Sequence, residues 1–181
     1  MTELLIGCGH SRKKQARVPG TSDDWNNLVT LDINEACSPD IVCDLNQEQW
    51  FDHGGFESSF EEVHAYEVLE HLGRQGDITS FFSTFYNIWR ILVPDGYLFA
   101  TCPSRHSPWA WGDPGHTRII SPESLIFLDQ GQYNFQLGKT AMSDYRAEWK
   151  GDFQCVSSTD DRTFHRFVLK AIKPARTNED V

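Results

Sequence analysis

The chain begins with an apolar run that ends at two glycines, in the order Leu4-Leu5-Ile6-Gly7-Cys8-Gly9-His10. A short continuous apolar run predicts a β-strand buried on both faces, here from Leu4 to Cys8. Glycine has no Cβ, so two glycines at a strand end let the backbone pass close to a ligand. In an open α/β sheet, ligands bind at that end of the strands. The rest of the chain has to distinguish such a site from an ordinary tight turn.

Size and hydropathy fit one globular domain. The chain has 181 residues, enough for one substantial core. We place a single domain at residues 1–173 and a flexible polar tail at 174–181. No apolar stretch approaches the roughly 20 residues that span a bilayer. The N-terminus has no basic segment before its apolar run, so we expect a cytoplasmic protein that does not associate with a membrane.

The chain is acidic, with a formal net charge of −10. An acidic chain is a poor non-specific binder of nucleic-acid phosphates. One local exception follows the glycines, a basic cluster of Arg12, Lys13, Lys14 and Arg17. Such a cluster is either a solvated loop or a site for an anionic substrate.

The five cysteines are Cys8, Cys37, Cys43, Cys102 and Cys155. Their number is odd and no Cys-x-x-Cys occurs, so neither a disulfide framework nor a zinc site of the usual spacing is indicated. We therefore expect free thiols in a reducing compartment, and no metal.

Apolar runs alternate with turn clusters along the first hundred residues. The predicted strands are Leu4–Cys8, Leu28–Ile33, Asp40–Asp44, Glu62–Tyr66 and Tyr97–Cys102. Short runs of this kind, rich in β-branched residues, favour a parallel sheet buried on both faces.

Two helices and a hairpin complete the pattern. Apolar residues at helical spacing predict a helix from Ile78 to Leu92, capped by Asp77 and ended by the turn residues Pro94-Asp95-Gly96. Another helix begins at Ser121-Pro122-Glu123. Two extended stretches, at 145–156 and 163–172, predict an antiparallel hairpin at one edge of the sheet.

Acidic residues follow the predicted strands in order. Asp32 lies 23 residues after Gly9, a spacing at which a carboxylate accepts hydrogen bonds from ribose hydroxyls. Asp44 ends the third strand and is followed by Leu45, and the fourth strand leads into Glu67. Because parallel strands bring their carboxyl ends to one edge, we expect these residues to converge.

Taken in order, these motifs resemble the class I S-adenosylmethionine-dependent methyltransferases. The resemblance covers about residues 4–104 and is closest to small members with Leu-Asn-Leu-Gly-Cys-Gly and Leu-Glu-His motifs. Here the matching segments are Gly7-Cys8-Gly9, Asp32, Asp44-Leu45, Glu67-Val68-Leu69-Glu70-His71 and Leu92-Val93-Pro94-Asp95-Gly96. The resemblance implies a Rossmann-like, doubly wound α/β fold. Its sheet would have seven mainly parallel strands and an antiparallel C-terminal hairpin.

The resemblance also implies a set of S-adenosylmethionine-binding residues. They are Gly7, Cys8, Gly9, Asp32, Ile33, Asp44, Leu45, Ala65, Tyr66 and Glu67. The glycine turn would lie under the methionine part, Asp32 would hold the ribose, and Asp44 with Leu45 would contact the adenine. The end of the fourth strand would lie near the sulfonium. Unlike the family, the chain has Leu5-Ile6 in place of an acidic residue before the turn, and its early helices are trimmed.

No catalytic base is dictated, but four residues are candidates. His116 and Asp113 follow the fifth strand, where acceptors approach, and a histidine near neutrality suits proton removal. Glu70 and His71 are adjacent and lie either near the site or in packing.

The leading hypothesis is methyl transfer from S-adenosylmethionine to an unidentified acceptor. A small molecule is favoured, with nucleic acid or protein behind it. One alternative is a degenerate cofactor-binding or protein-interaction module with the same fold. Another is a nicotinamide-dependent oxidoreductase, which would need a third glycine where Arg12 stands. Trp109 and Trp111 either cover a flat substrate or anchor their loop.

Overall fold

A computed structural model describes residues 2–15, 22–47, 50 and 55–176. Seven strands form one sheet: β1 Glu3–Ile6, β2 Leu28–Asp32, β3 Ile41–Val42, β4 Phe60–Tyr66, β5 Leu92–Pro103, β6 Phe153–Asp160 and β7 Phe164–Ala171. Their spatial order is β3-β2-β1-β4-β5-β7-β6. The first five strands are parallel to one another, and β7 is antiparallel to both β5 and β6. The predicted mainly parallel sheet with a C-terminal hairpin is confirmed.

Helices lie between the strands and are mostly short. They are α1 Ile78–Ile91, α2 Trp109–Gly112, α3 Pro122–Leu125 and α4 Gln130–Gln136. The Asp77 side chain accepts from the Ser80 amide at 3.0 Å, as predicted for the cap of α1. One face of α1, including Phe85 and Ile88, is buried in the main core. The helix predicted at Ser121 begins there but lasts one turn and continues as the 3₁₀ helix Ile126–Leu128.

The start of β5 differs from the prediction. We expected Pro94-Asp95-Gly96 to separate the helix from a strand beginning at Tyr97. Instead the strand begins at Leu92, which is fully buried and pairs with Phe60. The turn residues form an irregularity inside β5, where the register to β4 shifts and Asp95 has a φ of 64°.

The hairpin also starts later than predicted. Its first arm runs from Phe153 rather than Tyr145, because residues 145–149 turn back on themselves. The amides of Glu148 and Trp149 donate to the carbonyl of Tyr145, both at 2.9 Å. The turn between the two arms is short. In it, Asp161 Oδ1 accepts from the backbone amides of Thr163 and Phe164.

Arg12 and Lys14 of the basic cluster make structural contacts. The Arg12 guanidinium donates to the carbonyls of Gly9 and Cys37 at 2.6 and 2.9 Å, which ties the glycine turn to the loop after β2. The Lys14 ammonium lies between Glu3 and Glu62, at 3.1 and 2.9 Å, and its side chain is 4% exposed. Of the other two, Lys13 is exposed and Arg17 lies outside the described residues.

The five cysteines are free, and four of them are buried, as expected. Within the described ranges, each helix is too short or too polar to cross a bilayer.

His165 predicts a pH dependence of stability. The ring is fully buried in β7; Nδ1–H donates to the Ile120 carbonyl at 2.8 Å, and Nε2 lies 2.9 Å from the Ser158 hydroxyl. Burial lowers the pKa of His165, so the unfolded chain takes up this proton before the folded one does. Its contribution to stability is complete above about pH 6.5, the ordinary histidine pKa, and is lost as pH falls below it.

The measurement is urea denaturation of the wild type and His165→Gln at pH 7.5 and 5.5. We expect the advantage of the wild type in unfolding free energy to shrink at the lower pH. An advantage that stays constant or grows would contradict the assignment of a buried neutral ring.

Candidate active site at the carboxyl ends of the strands

The order of strands across the sheet changes direction at β1. From β1, the chain continues to β2 and β3 on one side, and β4 and β5 lie on the other. In open α/β sheets, ligands bind outside the carboxyl ends of the strands at such a reversal. A crevice of about 330 Å³ opens there, within the size range of small-molecule sites. Six predicted cofactor residues line it: Gly7, Asp32, Ile33, Asp44, Leu45 and Glu67.

The turn after β1 requires glycine at its first position. Gly7 has a φ of 60°, and a Cβ added there would lie 2.6 Å from the Cβ of Val68. Gly9 also has a positive φ, of 49°, but an added Cβ would meet no atom within 4 Å. Gly7 therefore allows close packing of two strand ends, whereas Gly9 borders open space.

Asp32 holds this turn in shape. Its Oδ2 accepts from the Gly9 amide and its Oδ1 from the Asn34 amide, both at 2.8 Å. The side chain is nearly buried, at 9% exposure, and it borders the crevice. Each carboxylate oxygen retains a second lone pair. Asp32 thus couples the glycine turn to the end of β2 and can still accept from hydroxyl groups.

Asp44 and two apolar residues form the far side of the crevice. Asp44 Oδ1 accepts from the amide of Asn46 at 2.9 Å, while Oδ2 makes no hydrogen bond to the described residues. Leu45 is buried beneath the crevice. Ile33 lines it with 64% of its surface exposed, which suits contact with a flat apolar ring.

The remaining predicted cofactor residues are chain neighbours of Gly7 and Glu67 but do not themselves line the crevice. Cys8, Ala65 and Tyr66 have buried side chains in the core, and the Tyr66 hydroxyl lies 2.6 Å from Nδ1 of His64. Gly9 contacts the crevice only through Asp32. Sequence reasoning missed four further lining residues: Cys43, Asn46, Val68 and Leu72. Of these, Val68 stands in the matched segment after β4 and Leu72 directly follows that segment, so proximity to Glu67 was the signal for both.

Glu67 occupies a strained position between two cavities. Its φ of 52° is in the left-handed region, which non-glycine residues rarely adopt. The side chain lines the crevice and also a second cavity of about 180 Å³ beside Trp109 and His116. Burial raises the pKa of Glu67, and its Oε1 has no hydrogen-bond partner among the described residues. Glu67 thus borders both cavities.

All four predicted catalytic residues meet beside this junction. His116 Nε2 lies 3.9 Å from Glu70 Oε1 and 3.9 Å from Asp113 Oδ2. The ring of His71 packs edge-on against that of His116, with centroids 4.6 Å apart. Glu70 and His71 share the 3₁₀ helix Leu69–His71, yet both side chains reach this cluster.

Glu70 is the most unusual member of the cluster. It is 2% exposed, and apart from a weak interaction with the buried Cys102 thiol, its carboxylate oxygens have no hydrogen-bond partner among the described residues. Burial, together with the nearby Glu67, raises the pKa of Glu70 to about 8. A buried carboxyl with these properties favours a functional role, since structural carboxylates are normally paired.

The two tryptophans do not anchor their loop in the core. Trp109 and Trp111 are 66% and 59% exposed, whereas Ala110 between them is buried. Trp109 borders the second cavity, and its carbonyl accepts from Nδ1–H of His116 at 2.8 Å. Trp109 is therefore in position to cover a ligand in that cavity.

No protein-family model and no curated protein matches the sequence. Solved structures do match along most of the chain. An S-adenosylmethionine-dependent methyltransferase from Archaeoglobus fulgidus has a TM-score of 0.56 at 13% identity, covering 93% of this chain and 86% of that one. The 1,6-didemethyltoxoflavin-N1-methyltransferase of Burkholderia thailandensis, crystallised with S-adenosylhomocysteine, has a TM-score of 0.55 at 12% identity, covering 95% and 71%. N-methyltransferase NodS of Bradyrhizobium japonicum, also crystallised with S-adenosylhomocysteine, has a TM-score of 0.51 at 16% identity, covering 94% and 77%.

At these identities, the likeness establishes architecture and not activity. The likeness extends over 93–95% of this chain, which includes the strands whose carboxyl ends form the crevice. The chain has the fold of the class I S-adenosylmethionine-dependent methyltransferases.

Proposed function

We propose that the protein transfers a methyl group from S-adenosylmethionine to a small-molecule acceptor. One observation carries the proposal: Gly7, Asp32 and Asp44 come from three strand ends and line a single crevice at the reversal of strand order. S-adenosylhomocysteine in the crystals of two structures with this fold supports the choice of cofactor.

The crevice residues fit an adenosine-containing cofactor. The Asp32 carboxylate would accept from the ribose hydroxyls, and Asp44 Oδ2, free of bonds to the described residues, would accept from the adenine amino group. Ile33 would pack on the adenine ring. The backbone at Gly7 and the left-handed Glu67 would border the methionine end. When bound, S-adenosylmethionine supplies a methyl carbon on a positively charged sulfur, which is already an activated leaving group.

The second cavity is the proposed acceptor site. It meets the crevice at Glu67, and at about 180 Å³ it suits a small acceptor. The fold alone does not choose the acceptor, since one structural neighbour is a 16S rRNA methyltransferase. The net charge of −10 argues against nucleic acid here.

Residues of the second cavity would position the acceptor and exclude water. Nδ1–H of His116 donates to the Trp109 carbonyl, so Nε2 carries the lone pair and can accept a proton from the acceptor. Trp109 would cover the acceptor. Because the methyl group is already activated by the positively charged sulfur, the main task of the protein is to position the acceptor. We place this activity in the cytoplasm, because five free cysteines suit a reducing compartment.

Isothermal titration calorimetry with S-adenosylhomocysteine tests the proposal. We expect the wild type to bind and Asp44→Ala to bind about tenfold more weakly, because one hydrogen bond to a charged group contributes about 1.5 kcal/mol or more. Asp24→Ala, at an exposed carboxylate remote from the crevice, is the matched control and should bind as the wild type does. Thermal shift with NAD in place of S-adenosylhomocysteine should show no stabilisation.

Failure of the wild type to bind at millimolar S-adenosylhomocysteine would argue strongly against methyl transfer. Stabilisation by NAD alone would favour the oxidoreductase reading instead.

A further inference from the structure

The cluster beside the two cavities contains a set of metal-ligating atoms. One such atom from each of Glu70, His71 and His116 lies within 4.8 Å of the other two. Two imidazole nitrogens with one carboxylate are ligands that first-row divalent ions such as Zn²⁺ and Fe²⁺ prefer. We propose that these three residues bind one divalent transition-metal ion at the junction of the crevice and the second cavity.

A backbone carbonyl orients each of the two imidazole rings. Nδ1 of His71 lies 3.0 Å from the Gly115 carbonyl, and Nδ1 of His116 lies 2.8 Å from the Trp109 carbonyl. A carbonyl only accepts, so each Nδ1 carries the proton and each Nε2 carries the lone pair. Metal-binding histidines usually donate their second N–H in this way, which fixes the tautomer and the ring direction.

Glu70 supplies an independent observation. Its carboxyl is almost completely buried, and apart from the weak interaction with the Cys102 thiol, its two oxygens have no hydrogen-bond partner among the described residues. Burying an unpaired carboxyl destabilises a fold. A bound cation would give Glu70 the partner that the surrounding protein does not supply.

A second cluster of the same residue types shows the contrast. Glu3, Glu62 and His64 also bring ligand atoms together, but the Lys14 ammonium already lies between the two carboxylates at 3.1 and 2.9 Å. That cluster already contains a cation, which pairs with both carboxylates. Within the part of the chain that the structure describes, no lysine or arginine pairs with Glu70 in this way, and His116 Nε2 lies 3.9 Å from its carboxylate.

The site is open, which is typical of metal ions that contact substrate. His71 lines the cofactor crevice and His116 lines the second cavity, so free coordination positions would face both. If the proposed methyl transfer holds, His116 Nε2 binds the ion and no longer serves as the base. The ion would bind an oxygen of the acceptor and lower the pKa of its hydroxyl, whose proton passes to solvent. The favoured acceptor class is then a hydroxyl or enol compound.

The test uses full-length protein without a polyhistidine tag, treated with EDTA, dialysed and titrated with Zn²⁺ by calorimetry. We expect one ion per chain. His116→Asn should weaken binding more than the tenfold that loss of an outer-shell partner costs. His106→Asn changes an exposed histidine outside the cluster and should bind as the wild type does. Co²⁺ should give visible absorption bands in the wild type that His116→Asn lacks.

Glu70→Gln separates loss of the site from loss of the fold. Because the carboxyl of Glu70 has only the weak interaction with the Cys102 thiol among the described residues, the amide should leave the melting temperature of the metal-free protein unchanged or higher. The same variant should bind Zn²⁺ more than tenfold more weakly. Equal Zn²⁺ affinity in the wild type, His116→Asn and Glu70→Gln would overturn the proposal, as would failure of the wild type to bind.

Titration of the metal-free protein with S-adenosylhomocysteine keeps the two proposals apart. Cofactor binding without Zn²⁺ binding overturns the metal site and leaves methyl transfer standing. Zn²⁺ binding without cofactor binding supports the metal site and removes the methyl-transfer role assigned to it.

Discussion

Gly7→Ala is expected to lower the free energy of unfolding by about 3 kcal/mol and to abolish measurable binding of S-adenosylhomocysteine. Two costs add at this position. A φ of 60° costs a residue with a Cβ about 1–2 kcal/mol. The new Cβ would also lie 2.6 Å from that of Val68, and such overpacking costs about 1–3 kcal/mol. Relief of the clash separates the two strand ends that form the floor of the crevice.

Gly9→Ala is the matched control for this substitution. It imposes a similar backbone cost at a φ of 49°, but its Cβ would meet no atom within 4 Å. Urea denaturation should therefore place Gly9→Ala between the wild type and Gly7→Ala, about 1–2 kcal/mol below the wild type. Equal losses for the two variants would contradict the close packing of Gly7 against Val68.

Asp152→Ala is expected to cost about 3 kcal/mol of stability. Asp152 is fully buried before β6 and accepts from the Gln130 amide at 3.0 Å. It also accepts from Arg176, through the backbone amide at 3.0 Å and the guanidinium at 2.7 and 2.9 Å. Breaking a buried pair costs about 3–5 kcal/mol. The lower value applies because the Arg176 side chain is 32% exposed and also pairs with Asp129.

Urea denaturation of Asp152→Ala beside Asp144→Ala checks this expectation. Asp144 forms an exposed pair with Arg146, so its removal should change stability little. Asp152→Asn retains an acceptor for the Gln130 amide and should fall between Asp152→Ala and the wild type. A loss for Asp152→Ala no greater than for Asp144→Ala would show that the network does not hold the C-terminal segment.

The same network bears on the predicted domain bounds. Residues 174–176 belong to the segment predicted as a flexible tail, and Arg176 in it bonds to Asp129 and Asp152. Residues 177–181 lie outside the described residues. The division at residue 173 remains a prediction.

Strand ends could be predicted from the sequence because local composition marks them. The apolar run before Gly7 and the acidic residues after the next strands mark where these strands end. Parallel pairing then brings those ends to one edge of the sheet. The start of β5 could not be predicted, because its first residues pair with β4 far away in sequence and this pairing overrides the turn residues Pro94-Asp95-Gly96.

The cluster of candidate catalytic residues shows the limit of local reasoning. The sequence left open whether Glu70 and His71 lie near the site or in packing. The short 3₁₀ helix and the returning loop before His116 bring all three side chains together. The structural role of Arg12 could not be predicted from the sequence either. Its guanidinium donates to four carbonyls, and their positions depend on how two loops fold over each other. The expectation of no metal rested on the spacing of the cysteines. That spacing carries no information about a cluster made of glutamate and histidine.

A crystal structure of the protein with S-adenosylhomocysteine tests the central claim most directly. The account predicts the adenosine in the crevice at the ends of β1, β2 and β3, with its ribose on Asp32 and its adenine amino group within hydrogen-bond distance of Asp44. The homocysteine should extend past Gly7 toward Glu67. Density for the ligand at another surface, or an adenosine that leaves both aspartates without contact, would contradict it.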